Sequence, residues 1–372
     1  MTTVMELTNN QHTFLELVRA GLWEREVRLL QYDEIDYVAI MRLAEEQSVV
    51  GLVTSGLELV KNVKVPQAWK LQFVGSTLQI EQRNKTMNEF VAKLICLLRK
   101  NDIYSLLVKG QGVAQCYEKP LWRTMGDVDL YLSNDNYKKA KICLIPLAQK
   151  VEQEDKRRLH LGMTIENCVV ELHGTMHTGI SRRMNRVSDE VHNSLFYGGS
   201  VRSWNNNGVQ VLLPSPDNDI IIIFNHFINH FYGEGIGLRQ VCDWCRLLWT
   251  YKDSLNCGLL EQRVRKAGLL IEWKAFAAFA VEYLGMPVEA MPIYVNSSCY
   301  KKKADRICKL ILETGNFGHN KDESYRKTSS KMKSNMITFW KRLGEFSRLA
   351  TIFPVNAPIF FMNYVYGRIN VA

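Results

Sequence analysis

The hydrophobic pattern of this chain is helical at both ends and changes once, in the middle. Over residues 11–100, apolar side chains recur three and four positions apart, which is the spacing of one face of an α-helix. Between residues 103 and 174 this spacing gives way to short apolar runs and alternating stretches, which are typical of strands. From residue 215 the helical spacing returns. This order predicts an α+β fold in which one small mixed sheet has helical domains before and after it.

Three domains follow from these changes of pattern. The predicted boundaries are 1–100 for an N-terminal helical domain, 101–213 for the α/β core and 214–372 for a C-terminal helical domain. Within the last domain, residues 301–350 carry 13 Lys and Arg against 5 Asp and Glu. An apolar, aromatic tail follows over 351–371. A basic helix with such a tail could lie on a membrane surface, and the alternative is that the tail packs on the helical domain.

Composition excludes several other classes of protein. Apolar residues make up 47% and charged residues 23% of the chain, which is the balance of a globular protein rather than of a disordered or fibrous one. The nine cysteines are scattered, and the N-terminus lacks a basic segment followed by an apolar run. Free thiols in a reducing cytoplasm are therefore expected.

One pair of acidic residues stands out within a predicted strand. Asp127 and Asp129 are two positions apart at the start of a strand predicted over 127–132, so both side chains point to one face. Two carboxylates on one face repel each other unless a cation lies between them, which is the arrangement of a Mg²⁺ site. The same spacing in Asp217 and Asp219 has another explanation, because these residues open a helix, where acidic side chains favour the helix dipole.

A glycine turn precedes the aspartate pair. The strand predicted over 103–109 ends in Lys109-Gly110-Gln111 and leads into a helical stretch. Glycine lets backbone N–H groups approach phosphate oxygens, and a lysine adds positive charge. The turn therefore indicates a phosphate-binding site, with an ordinary strand-to-helix turn as the alternative.

A predicted hairpin supplies a third carboxylate. Strands on either side of Glu166-Asn167 would pair so that His160 faces His173, with Glu171 on the same face. A catalytic face shared with the aspartate pair is one explanation of these polar residues, and a solvated outer face is the other. In the catalytic interpretation, replacing His173 should reduce turnover more than nucleotide binding.

Together these segments resemble the DNA polymerase beta-like nucleotidyltransferase superfamily, and within it an uncharacterised bacterial nucleotidyltransferase family. The resemblance implies that Asp127, Asp129 and Glu171 hold Mg²⁺, or Mn²⁺, in a nucleotidyltransferase sheet. It also implies transfer of a nucleoside monophosphate from a nucleoside triphosphate such as ATP to an unknown hydroxyl acceptor, with release of pyrophosphate. The resemblance rests on residues 106–112, 123–132, 169–173 and 214–219 and on the strand that contains His160.

The resemblance assigns further residues to the nucleotide and to the acceptor. Lys109 and Gly110 would contact the triphosphate, and Arg123 would neutralise phosphate charge or hold the loop before the aspartate pair. The superfamily usually has serine after the glycine, whereas Gln111 stands here and would donate from a longer arm. Candidates for the substrate cleft are His160, His226 and Arg239. Asp243 could also reach the cleft, although it lies one helical turn from Arg239 and could instead pair with it.

Two other functions compete with this hypothesis. The basic C-terminal segment is compatible with nucleic-acid binding, although no recognised motif or stacking pattern of aromatic residues accompanies it. The replacement of serine by Gln111 is compatible with a degenerate protein that binds nucleotides without turnover. The presence of all three carboxylates favours an active transferase over the second alternative.

Overall fold

The computed structural model describes residues 7–29, 35–318 and 331–369, and it confirms the predicted α+β fold. The helices before the sheet are α1 (Asn9–Trp23), α2 (Tyr37–Glu46), α3 (Val50–Glu58) and α4 (Gln67–Lys100). The middle region contains β1 (Ser105–Val108), α5 (Gly110–Ala114), β2 (Val128–Leu132), α6 (Asn134–Leu144), β3 (Lys150–Val151), β4 (His160–Ile165), β5 (Cys168–His173), α7 (Arg182–Phe196), β6 (Val201–Asn206) and β7 (Val209–Pro214). The helices that follow are α8 (Pro216–Tyr232), α9 (Leu238–Tyr251), α10 (Cys257–Ala267), α11 (Leu270–Leu284), α12 (Ser298–Thr314), α13 (Lys331–Ile352) and α14 (Asn356–Ile369).

A mixed five-stranded sheet forms the centre of the molecule. Its strand order is β1-β2-β5-β4-β3, with β2 and β5 parallel and the other pairs antiparallel. Leu130 of β2 and Leu172 of β5 are fully buried neighbours on one face, where they share a hydrophobic core with Phe90 and Leu94 of α4. Alternation along the strands turns Asp129 and the polar residues of β5 to the opposite face.

The hairpin formed by β6 and β7 was not predicted. Its turn consists of Asn207 and Gly208, both with positive φ, which is the residue pair preferred by two-residue hairpin turns. The hairpin packs beside the sheet: Leu213 lies in the same core as α4, and the side-chain amide of Asn206 donates to the carbonyl of Asn88 at 2.7 Å. The Asn207-Gly208 pair is therefore a sequence signal from which this hairpin could have been predicted.

Helix ends follow the local chemistry of proline and glycine. Helix α6 ends at Leu144, because Pro146 cannot continue the pattern of backbone hydrogen bonds, and a 3-10 turn follows. Gly268 has φ +76° and separates α10 from α11.

The helices before and after the sheet share one hydrophobic core. Gln47, at the end of α2, is completely buried and connects the two regions: its amide donates to the carbonyl of Ile311 at 2.9 Å, and its Oε1 accepts from the N–H of Leu238 at 3.0 Å. The helical regions therefore pack against each other, and the division of the chain at residues 100 and 213 stays a prediction.

The C-terminal basic segment is helical in two pieces where it is described, as α12 and α13, while residues 319–330 lie outside the described part. The tail forms α14, and Phe360 packs against Tyr232 of α8 with ring centroids 4.4 Å apart. Trp340 and Met362 are exposed. No helix within the described ranges combines the length and the hydropathy that a membrane crossing requires.

Candidate active site

Parallel pairing of β2 with β5 brings the three predicted carboxylates together. Asp129 of β2 lies directly beside Glu171 of β5 in the strand register. Asp127 comes just before β2 and, two positions from Asp129, falls on the same face. One oxygen from each of the three side chains lies within 4.8 Å of the others. We call Asp127, Asp129 and Glu171 the carboxylate cluster.

A buried lysine pairs with the carboxylate cluster. Nζ of Lys109, which follows β1, lies 2.8 Å from Oδ1 of Asp129. Burial lowers the pKa of Lys109, but the charges of Asp129 and Glu171 outweigh this effect, and the pKa is raised above its usual value. The backbone of Lys109 has φ +60°, a region that favours glycine. The tight turn therefore holds the ammonium beside the carboxylates at a conformational cost.

Two imidazoles on the β4–β5 hairpin contact the same carboxylates. The predicted register is confirmed, with His160 opposite His173 and Gly162 opposite Glu171. Nε2 of His173 lies 2.8 Å from Oδ1 of Asp129 and 3.3 Å from Oε2 of Glu171. Nε2 of His160 lies 3.2 Å from the same Glu171 oxygen. Both histidines therefore lie on the polar face of the sheet, in contact with the carboxylate cluster.

Negative charge is in excess at this face. Burial, followed by the charges of Asp129 and Glu171, raises the pKa of Asp127. Burial also acts to raise the pKa of Asp129, but Lys109 and His173 bring it below its usual value. Burial acts likewise on Glu171, whose pKa is nevertheless lowered well below its usual range by hydrogen bonds from the two imidazoles. Burial and the charge of Lys109 act to lower the pKa of His173, but its hydrogen bonds to Asp129 and Glu171 raise it above the usual value. Three carboxylates facing one ammonium and one imidazole create a site that favours a cation.

The carboxylate cluster lies on the wall of a cleft of about 330 Å³, which α7, α8 and α9 help to line. Among the residues predicted from the sequence, those lining the cleft are Lys109, Gly110, Arg123, Asp127, Asp129, His160, Glu171, His173, His226 and Arg239. This volume is within the range of small-molecule sites. The structure therefore gathers the predicted site residues around one cavity, with the exception of Gln111.

Gln111 is completely buried and does not line the cleft. Neither its side-chain nitrogen nor its side-chain oxygen has a hydrogen-bond partner among the described residues. Gly110, the preceding residue, does line the cleft. The backbone of the turn, rather than the side chain that replaces the usual serine, therefore faces the cavity.

Arg123 is held in a buried ion pair. Its Nε and terminal nitrogen donate to the two carboxylate oxygens of Asp243 at 2.7 and 2.6 Å, and the hydroxyl of Tyr117 donates to Asp243 at 2.8 Å. We call Arg123, Asp243 and Tyr117 the arginine clamp. It ties the segment before β2 to α9. Of the two roles expected for Arg123, this pairing corresponds to holding the loop.

Helices α8 and α9 contribute further polar groups to the cleft. The rings of His226 and His230 lie 4.5 Å apart, and burial lowers the pKa of His226 well below its usual value. Arg239 donates to the carbonyl of Thr124 at 2.9 Å. Burial, together with the charge of Arg123, lowers the pKa of Arg239 to about 10.

Several cleft residues were not among the predicted site residues. Asn225, Asn229 and His230 line the cavity beside His226. The signal on α8 is an Asn-His pair that recurs after four residues, which places four polar side chains along one side of an otherwise apolar helix. Asp243, which was a candidate for the cleft, lines the cavity from α9. Its pairing with Arg123, 120 residues away in the chain, was not predicted.

This fold and site define a class of protein. A mixed sheet that presents three carboxylates to a cleft is suited to handling phosphate groups with the help of divalent cations. The chain belongs to the family described as uncharacterised nucleotidyltransferase, whose model matches residues 33–285, more than half of its length. The protein is therefore a transferase of the nucleotidyl-transfer type. No curated protein and no solved structure matches the chain.

Proposed function

We propose that this protein transfers a nucleoside monophosphate from a nucleoside triphosphate to a hydroxyl acceptor, with Mg²⁺ held by the carboxylate cluster. The acceptor oxygen would attack the α-phosphorus, the bond to the bridging oxygen of the β-phosphate would break, and pyrophosphate would leave. The observation that carries the proposal is the convergence of three carboxylates within 4.8 Å at the wall of a cleft.

The donor set of the carboxylate cluster fits the proposed ion. Mg²⁺ prefers oxygen ligands and is usually bound by one or two carboxylates together with substrate phosphates. Asp127, Asp129 and Glu171 supply such oxygens, and their repulsion is only partly offset by Lys109. When bound, Mg²⁺ would neutralise the triphosphate and stabilise charge on the attacking and leaving oxygens. Mn²⁺ has similar ligand preferences and could replace it.

The residues around the cluster would bind the triphosphate and orient the reacting groups. Lys109 would pair its ammonium with a phosphate oxygen, and the backbone of Gly110 would allow the triphosphate to come close. Glu171 would either complete the metal site or accept the proton of the acceptor hydroxyl. His173 holds both Asp129 and Glu171 through Nε2 and so fixes their orientation.

The acceptor would lie toward the helices. The polar side of α8, with Asn225, His226 and Asn229, lines the cleft together with Arg239 of α9. These side chains offer both donors and acceptors for the hydroxyl groups of a sugar, a small molecule, a protein side chain or an RNA end. The helical wall would therefore set the choice of acceptor, while the sheet binds the nucleotide.

Thermal melting with each of ATP, CTP, GTP and UTP, with and without Mg²⁺, tests the nucleotide site. A ligand at 100 times its Kd should stabilise the wild type by about 2.7 kcal/mol. The Asp129→Asn variant should lose this Mg²⁺-dependent shift. Asp217→Asn is the matched control, since Asp217 belongs to the other Asp-x-Asp pair, at the start of α8, and this variant should keep the shift.

Release of pyrophosphate from the nucleotide that binds then tests turnover, with sugars, small metabolites, proteins and RNA supplied as separate acceptor pools. Label carried by the α-phosphate should appear in one of these pools. A Mg²⁺-dependent shift without transfer to any pool would instead favour the degenerate nucleotide-binding alternative. Salt-sensitive RNA or DNA binding without a nucleotide shift would favour the nucleic-acid-binding alternative.

A further inference from the structure

Beside the carboxylate cluster, a second set of metal-ligand types converges on one point. Nε2 of His160 and Nε2 of His173 lie 3.2 and 3.3 Å from the same oxygen, Oε2 of Glu171. One ligand atom from each of the three residues lies within 4.8 Å of the others. The centroids of the two imidazole rings are 4.8 Å apart and the rings are tilted by 43°, so they do not stack face to face.

We propose that His160, Glu171 and His173 form a second metal position, which takes a nitrogen-binding divalent transition ion. It is separate from the oxygen-only set of Asp127 and Asp129, although Glu171 belongs to both. The proposal concerns metal binding by the protein alone and does not depend on the binding of a nucleotide.

The spacing of the ligand atoms agrees with coordination geometry. Imidazole nitrogens and carboxylate oxygens lie about 2.0–2.2 Å from a bound Zn²⁺, and tetrahedral ligands at that distance are about 3.3–3.6 Å apart. The nitrogen-to-oxygen distances of 3.2 and 3.3 Å at Glu171 are close to the lower end of this range.

The fold places these ligands on rigid elements. His160 and His173 are direct cross-strand partners, and Glu171 is two residues before His173 on the same strand and the same face. Leu161 and Leu172, on the opposite face, are buried in the core and fix both strands. The imidazole of His160 is 32% exposed, which leaves a path from the cleft to the proposed position.

The chemistry of the donors separates this position from the Mg²⁺ site. Mg²⁺ is a hard cation that prefers oxygen, whereas Mn²⁺, Fe²⁺ and Zn²⁺ also accept imidazole nitrogen. Two imidazoles and one carboxylate form a donor set found in protein sites for such ions. In the metal-free protein, Nε2 of His173 instead contacts Asp129 at 2.8 Å. One nitrogen cannot carry a proton and bind a metal at once. The state with Nε2 hydrogen-bonded to Asp129 and the state with Nε2 bound to the metal can therefore be distinguished.

Mn²⁺ bound to the protein without nucleotide provides the test, because pulsed electron paramagnetic resonance detects ¹⁴N nuclei coordinated to this ion. Samples are measured with and without excess Mg²⁺, which competes for the oxygen-only set. We expect coupling from imidazole nitrogen in the wild type under both conditions. The coupling should weaken in His160→Gln and in His173→Gln, and it should disappear in the double variant.

His177 provides a matched control, because it lines the same cleft but pairs with Asp189 at 2.6 Å instead. The His177→Gln variant should keep the full ¹⁴N coupling. Asp127→Asn should also keep it while losing the nucleotide-dependent melting shift, which separates this proposal from the proposed function. Wild-type protein that binds Mn²⁺ without ¹⁴N coupling, or that binds none under either condition, would overturn the proposal regardless of how the variants fold.

Discussion

Two charged groups of residues lie in the same cleft and differ in their balance of charge. In the arginine clamp, one guanidinium meets one carboxylate through two hydrogen bonds of 2.7 and 2.6 Å, and a tyrosine hydroxyl supplies a third at 2.8 Å. In the carboxylate cluster, three carboxylates share one ammonium, that of Lys109. The first group is satisfied by the protein itself, whereas the second retains negative charge.

The difference shows how burial of charge separates a structural role from a binding role. A buried ion pair whose hydrogen bonds are complete positions the segments that it joins and gains nothing from a ligand. A buried group with excess charge of one sign destabilises the fold until a counter-ion arrives, and such groups are typical of functional sites. The arginine clamp therefore ties the segment before β2 to α9, and we propose that the carboxylate cluster binds the cation.

The largest expected effect follows from removing charge at the carboxylate cluster. Asp129→Asn should lower nucleotidyl transfer by about 10³-fold or more, equivalent to about 4 kcal/mol, because one ligand of the proposed metal is lost. Pyrophosphate release is the measurement, with circular dichroism to show that the variant is folded. Activity close to that of Asp217→Asn would remove the distinction between the two Asp-x-Asp pairs.

Breaking the arginine clamp should lower the stability of the protein. Asp243→Ala leaves the guanidinium of Arg123 buried without its partner, and such losses cost about 3–4 kcal/mol of unfolding free energy. Urea unfolding measures the change. The control is Glu58→Ala, which breaks the exposed pair of Glu58 with Lys119 at 2.6 Å and should cost less than about 1 kcal/mol. Equal costs for the two variants would show that the arginine clamp is no more structural than a surface pair.

The two groups also differ in how far the sequence predicts them. The face shared by His160, Glu171 and His173 follows from the period of a strand and from the length of one turn, both of which are local. The hairpin register could therefore be predicted. The carboxylate cluster needed one further step, the resemblance that joined Asp127 and Asp129 to Glu171 before any pairing of their strands was known.

No such local rule predicts the arginine clamp. Arg123 and Asp243 are 120 residues apart, and only the packing of α9 against the segment before β2 brings them together. Gln111 is the opposite case, in which a local rule predicts a contact that the packing does not make. Its position after the glycine predicted a contact with phosphate, whereas its side chain packs into the interior. Local pattern predicts which face a side chain occupies, and long-range packing decides what that face meets.

The stability of the protein should also depend on pH, through His226 on the side of α8 that lines the cleft. Burial lowers the pKa of His226 well below its usual value of 6.5, so this imidazole stays neutral in the folded protein while the unfolded chain takes up a proton near pH 6.5. The unfolding free energy should therefore fall as the pH drops below 6.5, with a contribution from His226 of about 1 kcal/mol down to pH 5.5. Urea unfolding at several pH values should show a flatter slope for His226→Gln than for the wild type. An equal slope for the two proteins would contradict this role of His226.

The smallest expected effect separates stability from function within the carboxylate cluster. Since the pKa of Asp127 is raised by burial and by its carboxylate neighbours, its charged form disfavours folding as the pH rises above 3.8. Asp127→Asn removes that repulsion, so the metal-free protein should gain up to about 1 kcal/mol of stability at neutral pH while losing Mg²⁺-dependent nucleotide binding. Melting in EDTA measures the gain. A loss of stability there would mean that the negative charge supports the fold, and the contrast with the arginine clamp would then fail.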